Sequence, residues 1–360
     1  MPDETLVERA RSGDGAAFAE LTQPHRRELH VHCYRMLGSF DDADDAVQET
    51  LLAAWRGFAA YQARASVRTW LYQVATNTCL NLLRTASRRP QMADPLPGTA
   101  PLPSGSTEVT WLQPYPDALL DGLPDQQAGP DARVEQAEAV SLAFVTALQL
   151  LAPRARAVLI MRDVLGFSAR ETGEALDSTP EAVAMTLSRA RAVLREHGAA
   201  QPGAASAGTA PSGTAEAMLV RRLTAALVAH DVDAVVALLA QDVRVSMPPL
   251  PAVWQGRETA ALFLTEVAFR LVPEARFVTT HANRQPALAV YTRDHADGVW
   301  RASGLLVITV KGDRIAGLTR FESATLRPFG LPRILADDDY GTVPPALPTR
   351  PGARSRARER

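Results

Sequence analysis

The sequence predicts a multidomain protein: two all-α blocks followed by an α+β block. Three observations lead there. Residues 4–89 hold few breakers and carry apolar residues at helical spacing. Two breaker-rich stretches punctuate the chain, 90–132 (with PLPGTAPLPSGS and YPDALLDGLPDQQAGP) and 198–214 (GAAQPGAASAGTAPSGT). Beyond residue 275 the pattern changes to strand-length runs separated by turn residues. At 360 residues a single small core is excluded and two or three domains are expected. The blocks are then a helical domain at 4–89, a linker at 90–132, a second helical domain at 133–197, a flexible linker at 198–214, an α+β domain at 215–326 and a C-terminal tail at 327–360, its last part basic.

Composition narrows the chemistry. The formal net charge is only -2, so any nucleic-acid surface must be a local patch. Lys311 is the sole lysine, which makes nearly every fixed cation an arginine. Cys33 and Cys79 read as buried thiols rather than a disulfide framework or zinc set, and the seven histidines show no ligand spacing, so no metal or cofactor is expected. The start, MPDETLVERARSGD, has no basic-then-apolar signal, and LAFVTALQLLA (142–152) is too short to span a membrane. A soluble cytoplasmic protein is expected.

In the first block, DETLVERARSGDGAAFAELTQPH fits two short helices with Leu6, Ala10, Phe18 and Leu21 inward. ELHVHCYRMLGSF (28–40) ends in a Gly-Ser break. Asp41 is the expected N-cap of the next helix, with Ala43, Val47, Leu51, Ala54 and Phe58 on one stripe and Asp42, Asp45 and Glu49 opposite. A further helix covers 66–89. No acidic residue lies between Gly57 and Arg89, where Arg64, Arg68, Arg84, Arg88 and Arg89 flank Trp70, Tyr72, Asn77 and Asn81. Arg with aromatics and amides suits single-stranded DNA, through phosphate, stacked base and base edge in turn. Two plainer readings stand beside this one: the acids favour a helix start, and Trp70 and Tyr72 are core.

The second helical block carries a sharper motif. Two amphipathic helices break at Pro153 and Gly166, and FSARETGEALDSTPEAVAMTLSRARAVLREHG follows. Ser168 with Glu171 forms a capping box, and Thr179 caps a helix that opens on Pro180. The turn Asp177-Ser178-Thr179 between them, with Thr172, Leu176, Val183 and Leu187 inward, is a helix-turn-helix pattern. The second helix would enter the major groove with Glu181, Ala182, Met185, Thr186 and Arg189 outward, and Arg189, Arg191 and Arg195 suited to phosphates. A plain helical bundle gives the same spacing.

These residues resemble a known family. HCYRMLGSFDDADDAVQETLLAAWRGF and SVRTWLYQVATNTCLNLLR resemble region 2 of sigma-70-type factors, and LQLLAPRARAVLIMRDVLGFSARETGEALDSTPEAVAMTLSRARAVLRE resembles region 4. With no region 3 and an added C-terminal domain, the chain resembles the extracytoplasmic-function (ECF) sigma factors with a SnoaL-like, NTF2-like extension, as does the linker string WLQPYPDALLD. The resemblance implies two all-α sigma domains plus an α+β NTF2-like cone, in a chain that is no enzyme. It implies core RNA polymerase as partner, through the β′ clamp helices and the β flap, and promoter DNA. Asp45, Gln48, Glu49, Leu52 and Trp55 would touch the clamp helices. Arg64, Arg68, Trp70, Tyr72, Asn77, Asn81 and Arg84 would read the −10 element, which becomes readable once unpaired. Helix 180–191 and Arg195 would read the −35 element as duplex. Many members carry basic residues early and midway in that helix, where this chain has Ala184 and Thr186.

In the C-terminal block, 216–239 reads as two short helices around His230-Asp231. Strands follow at 243–249, 276–282, 286–293, 299–310 and 314–322, with a helix after Trp254 and a hairpin at Lys311-Gly312-Asp313. The cone resemblance implies an apolar pocket near Met247, Trp254, Phe263, Tyr291 and Trp300. The domain is read as regulatory, with a small-molecule ligand and an anti-sigma protein left open as partners. Two other readings are a ligand-sensing helix-turn-helix regulator and an NTF2-like enzyme with helical appendages. The enzyme would need a paired acid and base among His230, Asp231, His281, Asp294 and Arg301, whose spacing is not diagnostic.

Overall fold

The computed structural model describes residues 4–63, 65–86, 103–106, 109, 111–121, 139–196 and 213–336. Region by region, α1 (Glu4–Arg11), α2 (Gly15–Thr22), α3 (Arg26–Leu37), α4 (Phe40–Gly57) and α5 (Val67–Ala86) build the first helical unit. The N-cap of α4 is Ser39, not Asp41. Ser39 is extended (φ -124, ψ 134) and its hydroxyl accepts from the Asp42 amide. Asp41 and Asp42 therefore sit inside the first turn, where they face the positive end of the helix dipole. The inward stripe of α4 is Ala43, Ala46, Val47, Thr50 and Ala54, small enough to let α3 and α5 approach closely.

The second helical unit comprises α6 (Leu142–Gln149), α7 (Pro153–Leu159), α8 (Ala169–Ala175) and α9 (Pro180–Glu196). Helix α7 widens into a π-turn at Ile160–Val164, and the chain leaves it at Gly166, whose φ of 72 suits glycine.

The C-terminal unit opens with α10 (Gly213–Val228) and α11 (Val232–Leu238). Asp231 caps α11 by accepting from the Ala234 amide. A sheet then forms from β2 (Leu239–Ser246), β3 (Ala252–Gln255), β4 (Ala275–Ala282), β5 (Gln285–Arg293), β6 (Trp300–Lys311) and β7 (Arg314–Glu322), with α12 (Arg257–Phe263) after β3. With a short linker strand β1 (Gly105–Ser106) at one edge, strand order is β1-β3-β2-β7-β6-β5-β4, with β2 parallel to β7 and the other pairs antiparallel.

Two expected boundaries shift. Part of the linker is folded structure: residues 111–121 pack Leu112, Tyr115 and Leu120 into the core. The expected tail also joins the fold. Residues 323–329 form a 3-10 helix, β8 (Ile334–Leu335) pairs with β6, and Leu331 and Leu335 are buried. Its prolines hid this from the pattern, since its burial comes from a long-range strand partner. The basic end of the tail, and 133–138 of the second block, lie outside the described residues.

The apolar interior divides into two clusters. One lies between the sheet and α10–α12 and holds Leu223, Val235, Val243, Trp254, Phe263, Leu288 and Ile308. The other runs continuously from the first helical unit through the linker and α6–α9 to the opposite side of the sheet, ending in Ala287, Ala289, Tyr291 and Phe321. Side chains alternate along a strand, so Ala287 and Ala289 face one cluster and Leu288 the other. That alternation separates the five residues expected around one pocket. Met247, Trp254 and Phe263 belong with the first cluster, where the Trp254 and Phe263 rings lie 4.4 Å apart. Tyr291 and Trp300 belong with the second, Tyr291 donating its hydroxyl to the Pro332 carbonyl. The structure does not bring the five together.

Candidate functional site

Three exposed faces and one buried junction carry the functional candidates. On α4, opposite its small inward stripe, Asp45, Gln48, Glu49, Leu52 and Trp55 are all exposed and recur every three or four residues on one line. Leu52 is 55% exposed and Trp55 37%. Trp55 is steadied by an edge contact to Phe18 at 5.2 Å. A surface helix that holds a leucine and a tryptophan in water beside two carboxylates presents an anchor for a partner.

On α5 the seven candidates separate. Asn77, Asn81 and Arg84 are exposed at i, i+4 and i+7 and form a second stripe. Trp70 is half-buried against Phe58 and Tyr61, with ring centroids 5.5 and 5.3 Å away. Tyr72 points inward, donating its hydroxyl to Glu28 at 3.2 Å. Arg68 bonds both Glu28 oxygens, at 3.1 and 2.9 Å, and lies over the Tyr72 ring. Burial pushes the Glu28 carboxyl up, but hydrogen bonding from His25 and the Arg68 charge outweigh it and hold it below its ordinary value. Tyr72 and Arg68 thus order the fold in this state, and Arg64 lies outside the described residues.

The helix-turn-helix forms as its local chemistry dictates. Ser168 and Glu171 exchange bonds at 2.8 and 3.1 Å, and the Thr179 hydroxyl accepts from the Ala182 amide. Asp177 takes a left-handed φ of 47. Gly173 is required: a Cβ there would lie 2.6 Å from the Ser178 carbonyl oxygen. Thr172, Leu176, Val183 and Leu187 are buried. Glu181, Met185, Arg189 and Arg195 are exposed; Ala182 and Thr186 are half-exposed. Arg191 instead bonds both Asp163 oxygens, at 2.9 and 2.7 Å, fastening α9 to the π-turn.

The junction is what sequence reasoning missed. Asn283, at the tip of the β4–β5 hairpin, is 0% exposed and has a left-handed φ of 57. Its amide nitrogen donates to Tyr34 Oη of α3 at 2.8 Å and to the Val140 carbonyl, just before α6, at 2.7 Å. Its carbonyl oxygen accepts from the Tyr115 amide of the linker, and its own backbone amide donates back to Tyr115. One side chain thereby joins all four parts of the chain. Next to it, Arg284 bonds Asp117 and Asp121, and Gln285 accepts from the Leu142 amide. From the linker, Gln113 holds Ser39 and Asp41 at the start of α4, while the Trp111 indole donates to the Leu37 carbonyl.

Two buried arginines complete the junction, with no carboxylate partner among the described residues. Arg35 donates to the Ala139 carbonyl, and Arg156 to Met36, Gln149 and Leu151. Burial lowers each to about 10, so both remain charged at neutral pH. Gly38 (φ 75) is needed here, since a Cβ would meet Gln149 Cδ at 2.9 Å. Tyr72 also meets Phe167, which precedes α8, edge-on at 5.8 Å. The one legible signal was the string WLQPYPDALLD, which carries Trp111, Gln113, Tyr115 and Asp117.

The cone's titratable candidates are otherwise engaged. His230 stacks on Phe269 at 4.5 Å, Asp231 caps α11, and Arg301 pairs with Asp294 and Asp297. His281 is exposed. They form no paired acid and base around a cavity, and no cluster of metal-ligating side chains occurs among the described residues.

The fold and its exposed faces define a class of protein: two helical units, one of them a helix-turn-helix, joined to a SnoaL-like sheet domain. Comparison with known proteins makes the class specific. Family models for sigma-70 region 2, sigma-70 region 4 and the SnoaL-like domain match residues 21–89, 141–194 and 220–318. The chain is 40% identical over 328 residues to the ECF RNA polymerase sigma factor SigG of Mycobacterium tuberculosis, covering 89% of this chain and 85% of that protein. It is 32% identical over 192 residues to SigM of the same organism, covering 53% of this chain and 82% of the relative. The crystal structure of the M. tuberculosis extracytoplasmic function sigma factor SigJ superposes with a TM-score of 0.58 at 23% identity, covering 87% of this chain and 99% of that one, which shows a shared fold. The chain belongs to the ECF family of RNA polymerase sigma factors and is a transcription-initiation subunit, not an enzyme.

Proposed function

We propose that the chain binds core RNA polymerase through Asp45, Gln48, Glu49, Leu52 and Trp55 on α4, which meet the β′ clamp helices. Asn77, Asn81 and Arg84, joined by Trp70, Arg68 and Arg64 once DNA is present, read the melted −10 element in the cytoplasm. Helix α9 reads the −35 duplex, and region 4 also meets the β flap. The C-terminal cone regulates this activity. Its domain is bounded as 215–336, with regions 2 and 4 at 4–89 and 133–197.

The observation that carries the regulatory part is a mismatch of lengths. The two promoter elements are named for positions about 25 base pairs apart, which is about 85 Å at 3.4 Å per step. In the packed chain, Tyr72 of region 2 touches Phe167 of region 4. Asn81 lies about 14 Å of helix beyond Tyr72, and α9 lies within about two helix diameters of Phe167. The two reading faces are therefore within about 45 Å of each other. The packed chain leaves its reading faces exposed but cannot span both elements. It must open at the junction, where the Asn283 hairpin holds region 2, the linker and region 4 together.

Run-off transcription with purified core polymerase over a promoter library tests the reading. Promoter-specific initiation is expected from the wild-type chain, lost in Trp55→Ala and raised in Asn283→Ala. Point variants are preferred to removal of the cone, because truncation near residue 205 would strip Tyr34, Tyr115 and Val140 of their Asn283 partner.

A further inference from the structure

We infer that α9 reads its duplex through an apolar and acidic ridge: Met185 against a thymine methyl group and Glu181 accepting from a cytosine amino group. The flanking arginine groove seats a backbone phosphate. This rests on the reading of α9 as the −35 helix and goes further, to the class of base pair it selects.

The first two turns of α9, Pro180–Ser188, contain no lysine or arginine. The commonest direct readout, a guanidinium bidentate to guanine, is therefore absent where a helix entering N-terminus first meets base edges. The residues that occupy this arc are chemically specific. Glu181 and Met185 are four apart on one line and both exposed, with half-exposed Ala182 and Thr186 beside them. A carboxylate only accepts hydrogen bonds, and in the major groove cytosine N4 presents a donor to it without a neighbouring acceptor on the same base. Met185 is 59% exposed, yet packing does not require it, because Val183, Leu187, Ala190 and Leu194 form the buried face of the helix. An unbranched thioether held in water at the centre of a reading face fits the thymine C5-methyl, the apolar feature of the groove.

A second feature sets the orientation. A groove of about 300 Å³ runs along one flank of α9, walled by Arg162, Ser188, Arg191 and Arg195 over Ala169, Ala184 and Leu187. Arg191 is held in place by Asp163, and Arg162 by the Phe167 carbonyl. Three guanidiniums against the Asp163 carboxylate at Arg191 and the Glu171 carboxylate near Arg162 leave the groove positive. At 100° per residue its lining positions 184, 188, 191 and 195 lie about a quarter turn from Met185. A phosphate seated there would turn Glu181 and Met185 towards the base edges, with the backbone contact fixing register and the ridge supplying sequence. Thr186 and Ala184, where many family members are basic, leave the floor of this arc uncharged.

The test uses holoenzyme assembled from the full chain and core polymerase. A promoter library randomised over both elements is selected by run-off transcription. Thymines of the selected −35 duplex are then replaced singly by deoxyuridine, which removes only the methyl group. Wild-type holoenzyme should lose about three- to fivefold in initiation at one such position, the weight of one buried methyl group, and Met185→Ala holoenzyme should lose nothing there. Glu181→Gln should move the selected base at one position from cytosine to adenine, since an amide pairs with adenine N6 and N7. Both variants replace exposed side chains with good helix formers, and unchanged melting temperatures verify that they fold. Initiation that is indifferent to every deoxyuridine, or equally sensitive in Met185→Ala, overturns the inference while leaving the sigma reading intact. Initiation from no library member overturns both.

Discussion

The inner core of the cone and the junction beneath the β4–β5 hairpin are both buried and both carry apolar contacts, but the junction adds a polar network that the cone's inner core lacks. Among the described residues, no buried polar residue lies between the sheet and α10–α12. The junction is held by Asn283, Arg35, Arg156, Gln149 and Gln113, with tyrosine and serine hydroxyls and backbone carbonyls as partners. Among the described residues Asn283 is the one buried polar residue that the cone contributes, and it points out of the cone. Apolar contact is non-directional and is lost in proportion to the area exposed. A polar contact is directional, and water replaces it when it opens, so its net contribution is only about 1 kcal/mol per bond. The cone's inner core is therefore held by buried area alone, and the junction by buried area plus directed bonds, which are the part that the proposed opening would exchange for water.

The comparison can be broken first at the apolar side. Trp254→Ala should cost about 3–5 kcal/mol, as large-to-small changes in a packed core do, and urea unfolding should show the cone melting before the helical units. Asn283→Ala should cost about 3 kcal/mol at the junction, because the Tyr115 amide and the Val140 carbonyl lose their partner and the Tyr34 hydroxyl loses the bond it accepts. Unlike Trp254→Ala, it should leave the cone's own transition in place while small-angle scattering shows a longer particle. If instead it melts the cone, the two regions are a single unit and the comparison fails.

Trp55→Ala lies outside both regions and sharpens the contrast. It should lower the melting temperature by only a few degrees, through loss of the Phe18 edge contact, yet weaken core-polymerase binding about thirtyfold or more in a titration, as loss of an aromatic anchor does.

Per residue and per pH unit, the smallest effect concerns acid. Burial lowers His30 to about 4 and His32 to about 3, against an ordinary value of 6.5. His32 bonds Thr76, and His30 bonds the Tyr115 hydroxyl at the junction's edge. Thr76 donates its own hydroxyl proton to the Tyr72 carbonyl, so His32 Nε2 carries a proton, and burial keeps the ring neutral. The unfolded chain takes up protons as pH falls below about 6.5, while the folded chain does not until near 4 or 3. Stability should be flat above pH 7 and fall by about 1 kcal/mol per histidine per pH unit below 6. Urea midpoints from pH 7.5 to 5 measure the slope, and His30→Gln should make it shallower.

What the sequence made legible was local. The Ser168–Glu171 capping box and the Thr179 cap act over three residues, and the Lys311-Gly312-Asp313 hairpin joins neighbours, so each was readable in place. The exposed stripe of α4 followed from period alone, although its cap lay two residues earlier than expected because Ser39, not Asp41, adopts the extended conformation. Tyr72, set among arginines and amides, looked like a reader and is core, since only the fold brings Glu28 to its hydroxyl. The junction was illegible for the same reason. Its bonds join Trp111 to Leu37 across 74 residues and Asn283 to Tyr34 across 249, and no spacing rule reaches that far. Which strand residues faced which cluster likewise depended on a register that pattern alone did not define.

The most direct test of opening at the junction is a distance. Fluorophores placed at Glu20 of region 2 and Glu174 of region 4, both exposed and outside the proposed reading faces, report the separation of the two regions. Efficient energy transfer is predicted in the free chain, less in Asn283→Ala, and least when core polymerase and promoter DNA are added. Transfer that stays as high in an initiating holoenzyme as in the free chain would contradict the account.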